Sequence, residues 1–401
     1  MHKIERLLQT LAPKGVEFRK LGEVCEILDN RRIPIAKNKR NPGIYPYYGA
    51  NGIQDYIDSY IFDGDFVLVG EDGSVINKDN TPVVNWASGK IWVNNHAHVL
   101  QTKNELKLKF LYFYLQTIDV SYCVAGTPPK INQENLKQIT IPIPPLEIQQ
   151  EIVKILDAFT ELNTELNTEL NARKKQYEYY QNMLLDFNDI NSNHKDAKMS
   201  AKPYPKRLKT LLQTLAPKGV EFRKLGEVCD FQKGKSITKK AVTFGKVPVI
   251  SGGRQPAYYH NEANRSGETI AISSSGVYAG YVSYWDIPVF LADSFSVSPK
   301  QKTLMPKYLF HYLTTQQDAI HATKSAGGIP HVYSKDLQNF LIPIPPLEIQ
   351  QEIVKILDQF SALTTDLLAG IPAEIKARKK QYEYYREKLL TFKPLTPLNN
   401  K

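Results

Sequence analysis

Cysteine and long apolar runs are scarce in this 401-residue sequence. Its three cysteines, Cys25, Cys123 and Cys229, are too few and too odd in number for a disulfide framework, so they predict a reducing, cytoplasmic setting. No stretch approaches the roughly 18 apolar residues that suggest a membrane-spanning helix. The N-terminal MHKIERLLQTLAPKG predicts a short amphipathic helix. It lacks the apolar centre that a signal peptide has.

Catalytic signatures are also missing. GKS at 234–236 resembles the end of a phosphate-binding loop, but the first glycine of that pattern would fall on Cys229. NPGIY at 41–45 lacks the second proline of an amino-methyltransferase motif, and we find no Ser-His-Asp arrangement with a nucleophile elbow. The sequence therefore predicts no catalytic residue.

Metal-ligating side chains form two weak groups. Four acids cluster in FDGDFVLVGEDG, namely Asp63, Asp65, Glu71 and Asp72, and could bind a hard cation. The corresponding RSGETIAISSSG lacks most of them, so turn and surface acids are the favoured interpretation. His96 and His98 are spaced as strand neighbours on one face and could bind zinc, but no other ligand set is evident. We predict no metal bound by this chain.

Positive charge is in excess, at a formal net +10. With 42% hydrophobic and 23% charged residues, the composition is that of an ordinary folded protein long enough for two or three domains. The excess charge favours a polyanionic partner.

The sequence consists of two tandem copies of one plan. LLQTLAPKGVEFRKLGEVC occurs at 7–25 and 211–229, IPIPPLEIQQEIVKILD at 141–157 and 342–358, and ARKKQYEYY at 172–180 and 377–385. The inserts between these blocks, 26–140 and 230–341, share only a faint outline. A repeated frame indicates one task performed twice, whereas divergent inserts indicate different tasks of one kind.

The frame contains two long predicted helices. Apolar residues recur at spacings of three and four from Ile148 to Leu170, and no Gly or Pro intervenes between Leu146 and Phe187. The second helix is predicted over Leu347–Phe392 with a kink at Gly370-Ile371-Pro372. We expect the two helices to pack antiparallel. The inserts are predicted to be mixed α and β, with short strands such as DFVLVG and ETIAIS and aromatic-rich helices such as LKFLYFYLQT.

Both inserts carry basic, amide and aromatic residues in polar loops. Such side chains neutralise phosphates and read base edges, although a solvated basic face is the alternative for any one of them. The candidate DNA contacts are Arg31, Arg32, Lys37, Lys39, Arg40, Tyr47, Tyr48, Asn51 and Lys130 in the first insert, and Lys233, Lys235, Lys239, Lys240, Arg254, Gln255, Tyr258, Tyr259 and His331 in the second.

ARKKQYEYY is identical in both helices, which suits an identical partner or identical packing, with contact to the DNA backbone as a further alternative. The candidate partner-binding residues are Arg173, Lys174, Lys175, Tyr177, Arg378, Lys379, Lys380 and Tyr382. Between the blocks, Thr-Glu-Leu-Asn occurs three times in succession at 160–171, with Leu162, Leu166 and Leu170 on the apolar stripe.

These features together resemble the specificity subunit of a type I restriction-modification system, over essentially the whole chain. The resemblance rests on the duplicated PIPPLEIQQEIVKILD and ARKKQYEYY, the two divergent inserts and the tandem tetrapeptides. It implies an α+β fold with an internal pseudo-twofold repeat, in which two target recognition domains with β cores are joined by a spacer of two antiparallel coiled-coil helices. The expected segments are 1–145 (N-terminal segment and first recognition domain), 146–187 (central helix), 188–206 (linker), 207–346 (second recognition domain), 347–392 (C-terminal helix) and 393–401 (tail).

The resemblance also implies a function and partners. Each recognition domain would read one half of a bipartite, asymmetric double-stranded DNA target. Two modification subunits would hold S-adenosylmethionine, and ATP-driven restriction subunits with Mg would complete the enzyme, leaving this chain without a cofactor of its own. A tetrapeptide adds about 6 Å and about 40° to a helix, so the array would set the gap between the half-sites. A single-chain restriction-modification enzyme and a coiled-coil adaptor that binds no DNA are the rival hypotheses.

Overall fold

The computed structural model describes residues 2–73, 75–188, 203–300, 302–325, 328–365 and 370–395. Internal contacts divide the chain into two compact units. Unit 1 comprises Met1–Asn167 with Glu374–Lys401, and unit 2 comprises Thr168–Ala373. Within the predicted linker and tail, residues 189–202 and 396–401 lie outside the described residues.

The described elements follow the sequence pattern closely in the frame. The helices are α1 (His2–Leu11), α2 (Leu21–Val24), α3 (Leu108–Leu115), α4 (Gln133–Gln138), α5 (Leu146–Leu185), α6 (Lys206–Leu215), α7 (Leu225–Val228), α8 (Pro306–Thr315), α9 (Gln317–Ala322), α10 (Ser334–Leu337), α11 (Leu347–Thr365) and α12 (Ile371–Leu390). The strands are β1 (Glu17–Lys20), β2 (Cys25–Ile27), β3 (Pro42–Gly49), β4 (Gly52–Ile57), β5 (Phe62–Gly70), β6 (Val84–Val93), β7 (Ala97–Thr102), β8 (Thr140–Ile143), β9 (Glu221–Lys224), β10 (Cys229–Lys233), β11 (Val247–Ile250), β12 (Tyr258–His260), β13 (Thr269–Ser273), β14 (Val282–Trp285), β15 (Phe290–Leu291), β16 (Ser294–Pro299) and β17 (Leu341–Ile344).

A two-stranded antiparallel ribbon closes each insert at its base. In unit 1, β1 pairs with β8, with Glu17 opposite Ile143. In unit 2, β9 pairs with β17 in the matching register, with Glu221 opposite Ile344. Because the ribbon is built from repeated sequence, both ends of each insert are held side by side in the same way.

The two inserts build related sheets. In unit 1 a single six-stranded sheet has the order β2-β7-β5-β6-β3-β4. Unit 2 has a four-stranded sheet, β10-β16-β13-β14, and a three-stranded sheet, β12-β11-β15. The long strand β6 is replaced by the shorter β14 and β15, with Pro288 between them, and proline cannot donate a ladder hydrogen bond. The apolar segment IPVFLA at 287–292 therefore forms a strand only at Phe290–Leu291.

Gly43 and Gly245 mark a second correspondence between the inserts. A Cβ atom on Gly43 would lie 2.3 Å from the Ile57 carbonyl oxygen, and one on Gly245 would lie 2.2 Å from the His260 carbonyl oxygen. Both glycines therefore let the chain pass close to the end of a neighbouring strand, β4 in unit 1 and β12 in unit 2.

The frame helices bury the predicted apolar stripe. Its first positions are fully buried in each unit: Ile148, Ile152 and Leu156 in unit 1, and Ile349, Ile353 and Leu357 in unit 2. In unit 1 the Phe159 ring stacks on Tyr385, with centroids 5.6 Å apart, while Thr160 hydrogen-bonds with Tyr382. A later residue of α5 thus meets an earlier residue of α12, as expected for antiparallel helices. In unit 2 the Tyr180 and Phe360 rings stack at 5.0 Å, which repeats the same contact.

The three cysteines lie in the hydrophobic cores of the two units as separate buried thiols. Burial raises the pKa of Cys25 and of Cys229 to about 12, so both stay protonated at neutral pH. Among the described residues, no helix has the length and apolar character needed to cross a bilayer.

Candidate nucleic-acid interface

A pair of loops, here called the loop clasp, is bonded in the same way in both units. In unit 1 the clasp joins residues 71–73 to 129–131, and in unit 2 it joins 274–276 to 330–332. The amide of Gly73 donates to the Pro129 carbonyl at 3.0 Å, and the amide of Gly276 donates to the Pro330 carbonyl at 3.0 Å. Both glycines have φ near +80°, a conformation that a side chain would strain.

A second backbone bond completes each clasp. Ile131 donates to the Glu71 carbonyl at 2.8 Å, and Val332 donates to the Ser274 carbonyl at 2.9 Å. Between the two bonds the clasp presents one predicted DNA contact in each unit, Lys130 or His331. The same backbone therefore carries a different polar side chain in each unit.

The predicted DNA contacts of unit 1 fall into an exposed and an internal group. The exposed group is Arg31, Lys37, Lys39, Asn51 and Lys130. The internal group is Arg32, Arg40, Tyr47 and Tyr48.

Arg40 and Tyr47 hold the loop before β3 in place. The Arg40 guanidinium lies 4.0 Å from the Tyr47 ring centroid and donates to the Ile35 carbonyl at 3.0 Å. The Tyr47 hydroxyl accepts from the Ile35 amide at 3.0 Å, and its side chain is buried. Both residues therefore shape the loop that displays Lys37 and Lys39.

Glu71, interpreted from sequence as a turn or surface acid, is instead an internal ion-pair partner. Arg32 Nη1 donates to it at 2.6 Å, and Lys130 Nζ lies 3.0 Å from it. Asp63 and Asp65 are exposed on β5, away from any such pairing in the described contacts.

His96 and His98 do not share a face. His96 lies exposed in the turn before β7 and contacts Asp72, whereas His98 is fully buried. His98 Nδ1 faces Asp29 Oδ2 at 2.6 Å and Nε2 faces the Ile131 carbonyl at 2.7 Å. Although Asp29, Glu71 and His98 could together surround a metal ion, both ring nitrogens of His98 already have partners in the protein, and Arg32 occupies the carboxylates.

The predicted DNA contacts of unit 2 are mostly exposed. Those with open side chains are Lys233, Lys235, Lys239, Lys240, Arg254, Gln255, Tyr258 and Tyr259. The Arg254 guanidinium lies 5.0 Å from the Tyr278 ring centroid and 5.6 Å from that of Tyr281, neither of which the sequence had singled out. The half-buried His331 stacks on Tyr333, with centroids 6.0 Å apart.

The glycine of GKS serves packing. A Cβ atom on Gly234 would lie 2.5–2.7 Å from the backbone oxygens of Ala292, Leu291 and Ser294. In the described chain, the element directly after GKS is a 3₁₀ turn, Lys239–Ala241, and not an α-helix. This segment therefore lacks the helix N-terminus of a phosphate-binding loop.

The two ARKKQYEYY segments are folded alike on their helices. Arg173 approaches Glu169 at 3.5 Å and Gln176 at 3.2 Å, and Arg378 repeats these contacts with its own neighbours. The four lysines, Lys174, Lys175, Lys379 and Lys380, are exposed. Each segment thus displays an open cationic face.

Tyr177 and Tyr382 point inward instead. The Tyr177 hydroxyl lies 3.3 Å from His311 Nδ1, whose other ring nitrogen lies 3.1 Å from Asp358. Burial, with a smaller effect of the Asp358 charge, raises the pKa of Tyr177 to about 12. Tyr382 lies under the Arg386 guanidinium, 5.4 Å from its ring centroid. Both tyrosines therefore pack within their own unit.

Leu162, Leu166 and Leu170 are half-buried along α5. The division between the units falls inside the tetrapeptide array, after Asn167. The array thus lies in α5, a helix that continues from unit 1 into unit 2.

Two glutamines were missed by sequence reasoning, although they lie in the repeated IQQE. Gln149, fully buried, accepts from the Lys107 amide at 2.7 Å and donates to the carbonyls of Glu105 at 2.9 Å and Pro144 at 2.7 Å. Gln350 makes the same three bonds in unit 2, at 2.7–2.8 Å. Each glutamine fixes the start of a frame helix to the segment before the insert's aromatic helix.

Known proteins share this architecture. The sequence model of the type I restriction modification DNA specificity domain matches twice, at residues 13–175 and 217–377. The chain belongs to this family. Its two matches coincide with the two copies of the repeated frame, so the predicted family and its function as a DNA specificity subunit are confirmed.

Full-length relatives agree. This specificity subunit is 37% identical to a putative type I restriction enzyme specificity subunit of Haemophilus influenzae, over 97% of this chain and 98% of the relative. It is 29% identical to the EcoR124I/EcoR124II specificity subunit of Escherichia coli, over 100% and 99% of the two chains. The crystal structure of the type I S subunit from M. genitalium has a similar fold, with a TM-score of 0.62 at 19% identity, covering 96% of this chain and 97% of that one. The predicted fold class is confirmed.

Proposed function

We propose that each unit reads one half of a bipartite, asymmetric DNA target. The observation that carries this proposal is the loop clasp, which has the same backbone bonds in both units but presents Lys130 in one and His331 in the other. A shared scaffold with different polar side chains suits two readers of one ligand class. The chain itself takes no catalytic role in this proposal.

The exposed basic and aromatic residues of both inserts make the DNA contacts. Lysines and arginines neutralise phosphates, while Arg254 and Gln255 have the planar donor groups that read base edges bidentately. Arg32, Arg40, Tyr47 and Tyr48 contribute through the loops that they hold, because their polar groups or rings are engaged inside unit 1.

The partners are two modification subunits and, through them, restriction subunits. S-adenosylmethionine, ATP and Mg are held by these subunits. The open faces of the two ARKKQYEYY segments give the modification subunits two equivalent docking surfaces. The setting is cytoplasmic, where DNA and these partners meet.

The tetrapeptide array sets the length of the gap between the half-sites. It lies in α5, which continues from one unit to the other. Its leucines keep their half-buried positions when four residues are added or removed, because about 40° of rotation moves them only slightly.

Mapping methylated bases in cells that express this subunit with its modification partner tests the proposal. We expect one motif with two specified halves separated by an unspecified gap. A continuous motif would contradict the two-reader proposal. Failure of the purified complex to retard any duplex at low salt would favour the adaptor hypothesis instead.

A further inference from the structure

Four loops of unit 1 meet at a buried group of charges. The carboxylate of Asp29, just after β2, accepts from His98 Nδ1 at 2.6 Å and from the Val99 amide at 3.1 Å. His98 in turn reaches the Ile131 carbonyl, in the loop clasp, at 2.7 Å. The loop after β2, the start of β7 and the clasp are thereby joined through the His98 imidazole ring.

Arg32 and Glu71 extend this group to the end of β5. Arg32 donates to the Ala97 carbonyl at 2.8 Å and to Glu71 at 2.6 Å, and its Nη2 lies 3.4 Å from Asp29. Lys130, on the clasp, approaches Glu71 at 3.0 Å. Asp29, Arg32, Glu71 and His98, here called the charge network, all have side chains at most 13% exposed.

Both ring nitrogens of His98 face acceptors, the Asp29 carboxylate at Nδ1 and the Ile131 backbone carbonyl at Nε2. Burial alone would raise the pKa of Asp29, but the hydrogen bond and charge of His98, with the charge of Arg32, hold it below its usual range. The charges that face His98 are Asp29, Glu71 at 3.7 Å and, behind them, Arg32 and Lys130.

Unit 2 has no such network at the equivalent place. Lys233 stands opposite Phe295 between β10 and β16. These positions correspond to Asp29 and His98, because β2 and β7 pair in the matching register. Phe295 is buried in the hydrophobic core. The charge network is therefore a property of one reader and not of the shared frame.

We propose that the charge network positions the DNA-reading loops of unit 1, and that His98 and Asp29 are positioning residues for recognition of one half-site. The network joins the 3₁₀ turn Asp29–Arg31, which displays Arg31, to the clasp, which displays Lys130. The proposal rests on the two-reader function. If the His98 ring is removed, the contact with Ile131 is lost and the clasp is freed from the turn.

The test uses the complex of this chain with its modification subunit and the duplex found by methylation mapping. The half-site of unit 1 is the one that changes when residues 26–140 are exchanged. We expect His98→Phe, which copies unit 2, and Asp29→Asn to weaken binding at least about tenfold, with discrimination lost against changes in that half-site only. His96→Gln, on the turn just before β7 and outside the network, should bind like the unchanged protein.

Discrimination between the two half-sites separates positioning from general stability. His98→Asn, which keeps a donor toward Asp29 but none toward Ile131, should lose discrimination at the half-site of unit 1 and keep it at the other half-site. His98→Asn and Asp29→Asn decide the matter even if His98→Phe does not fold.

Two results would overturn the proposal. One is native discrimination of both half-sites by folded Asp29→Asn and His98→Asn variants. The other is an equal loss at both half-sites, which would indicate a general folding defect. Absence of any bipartite target for the unchanged complex would instead contradict the two-reader function on which the proposal rests.

Discussion

At the scale of the residue, Gln149 and Gln350 explain how two unlike inserts dock on one kind of helix. Its hydrogen bonds to the described residues of the insert all go to backbone groups, so the insert's side chains can change without breaking them. A buried amide that satisfies three partners leaves several polar groups without a bond if it is lost. The repeated IQQE therefore has a structural reason that does not depend on the DNA sequence.

Replacing Gln149 with Leu should lower the free energy of unfolding by about 3 kcal/mol, because the Lys107 amide and two carbonyls would stay buried without partners. Urea denaturation measures this change. Gln150, its exposed neighbour, provides the control, and Gln150→Leu should stay within about 0.5 kcal/mol of the unchanged protein. Equal effects of the two substitutions would show that the buried amide contributes nothing special.

At the scale of the element, α5 carries two kinds of information. Its first turns are fixed by core contacts, since Ile148, Ile152 and Leu156 are fully buried. Its tetrapeptide array has only half-buried leucines and exposed threonines. Length can therefore vary in the array at little cost, whereas the docking ends cannot vary.

Deleting Thr164–Asn167 leaves two tetrapeptides and shortens the helix by about 6 Å. Both half-sites should stay the same, while the gap between them should shrink by about one to two base pairs at about 3.4 Å each. DNA twist absorbs part of the change, which gives the range. Methylation mapping before and after the deletion measures the gap.

Leu166→Ala is the matched control for the deletion. Because Leu166 is half-buried, its truncation should cost about 1 kcal/mol of stability, less than the 2–5 kcal/mol of a fully buried leucine, and should leave the gap unchanged. An unaltered gap after the deletion, with full activity, would show that the array does not set the gap and only extends the helix.

Charge reversal of the two ARKKQYEYY faces tests the partner surfaces. Substituting Glu at Arg173, Lys174 and Lys175 and at Arg378, Lys379 and Lys380 should weaken assembly with the modification subunit, because these side chains are largely open to a partner. Co-purification measures the loss. The inward-facing Tyr177 and Tyr382 should affect stability rather than assembly. Normal assembly with weaker DNA binding would assign the cations to the DNA backbone instead.

At the scale of the whole molecule, the chain is two units built on one repeated frame. Each insert enters and leaves through a ribbon of repeated sequence in the same register. In unit 1 the frame also ties the ends of the described chain together, because the Val16 amide donates to the Lys393 carbonyl at 2.8 Å and the Leu395 amide donates to Val16 at 2.9 Å. An insert can thus be exchanged without rebuilding what holds it.

Exchanging residues 26–140 for the corresponding insert of a relative should change one half of the target and leave the other intact. The ribbon, Gln149 and the frame helices all stay in place, so the junctions should fold as before. Sequencing of methylated sites reads the result. A change in both halves would show that the two readers are coupled.

The sequence by itself determined the duplication, the long helices, the mixed inserts and the family, because each rests on local pattern: identical blocks, apolar spacing and turn residues. It could not separate Arg31 from Arg32. These neighbours have the same chemistry, and only the folded chain brings Glu71, 39 positions away, against Arg32. Likewise, the spacing of His96 and His98 predicted one shared face, but His96 is exposed and His98 is buried. Burial and charge pairing are long-range properties of the fold, so only the tertiary structure decided which basic residues face the solvent and which hold the loops that carry them.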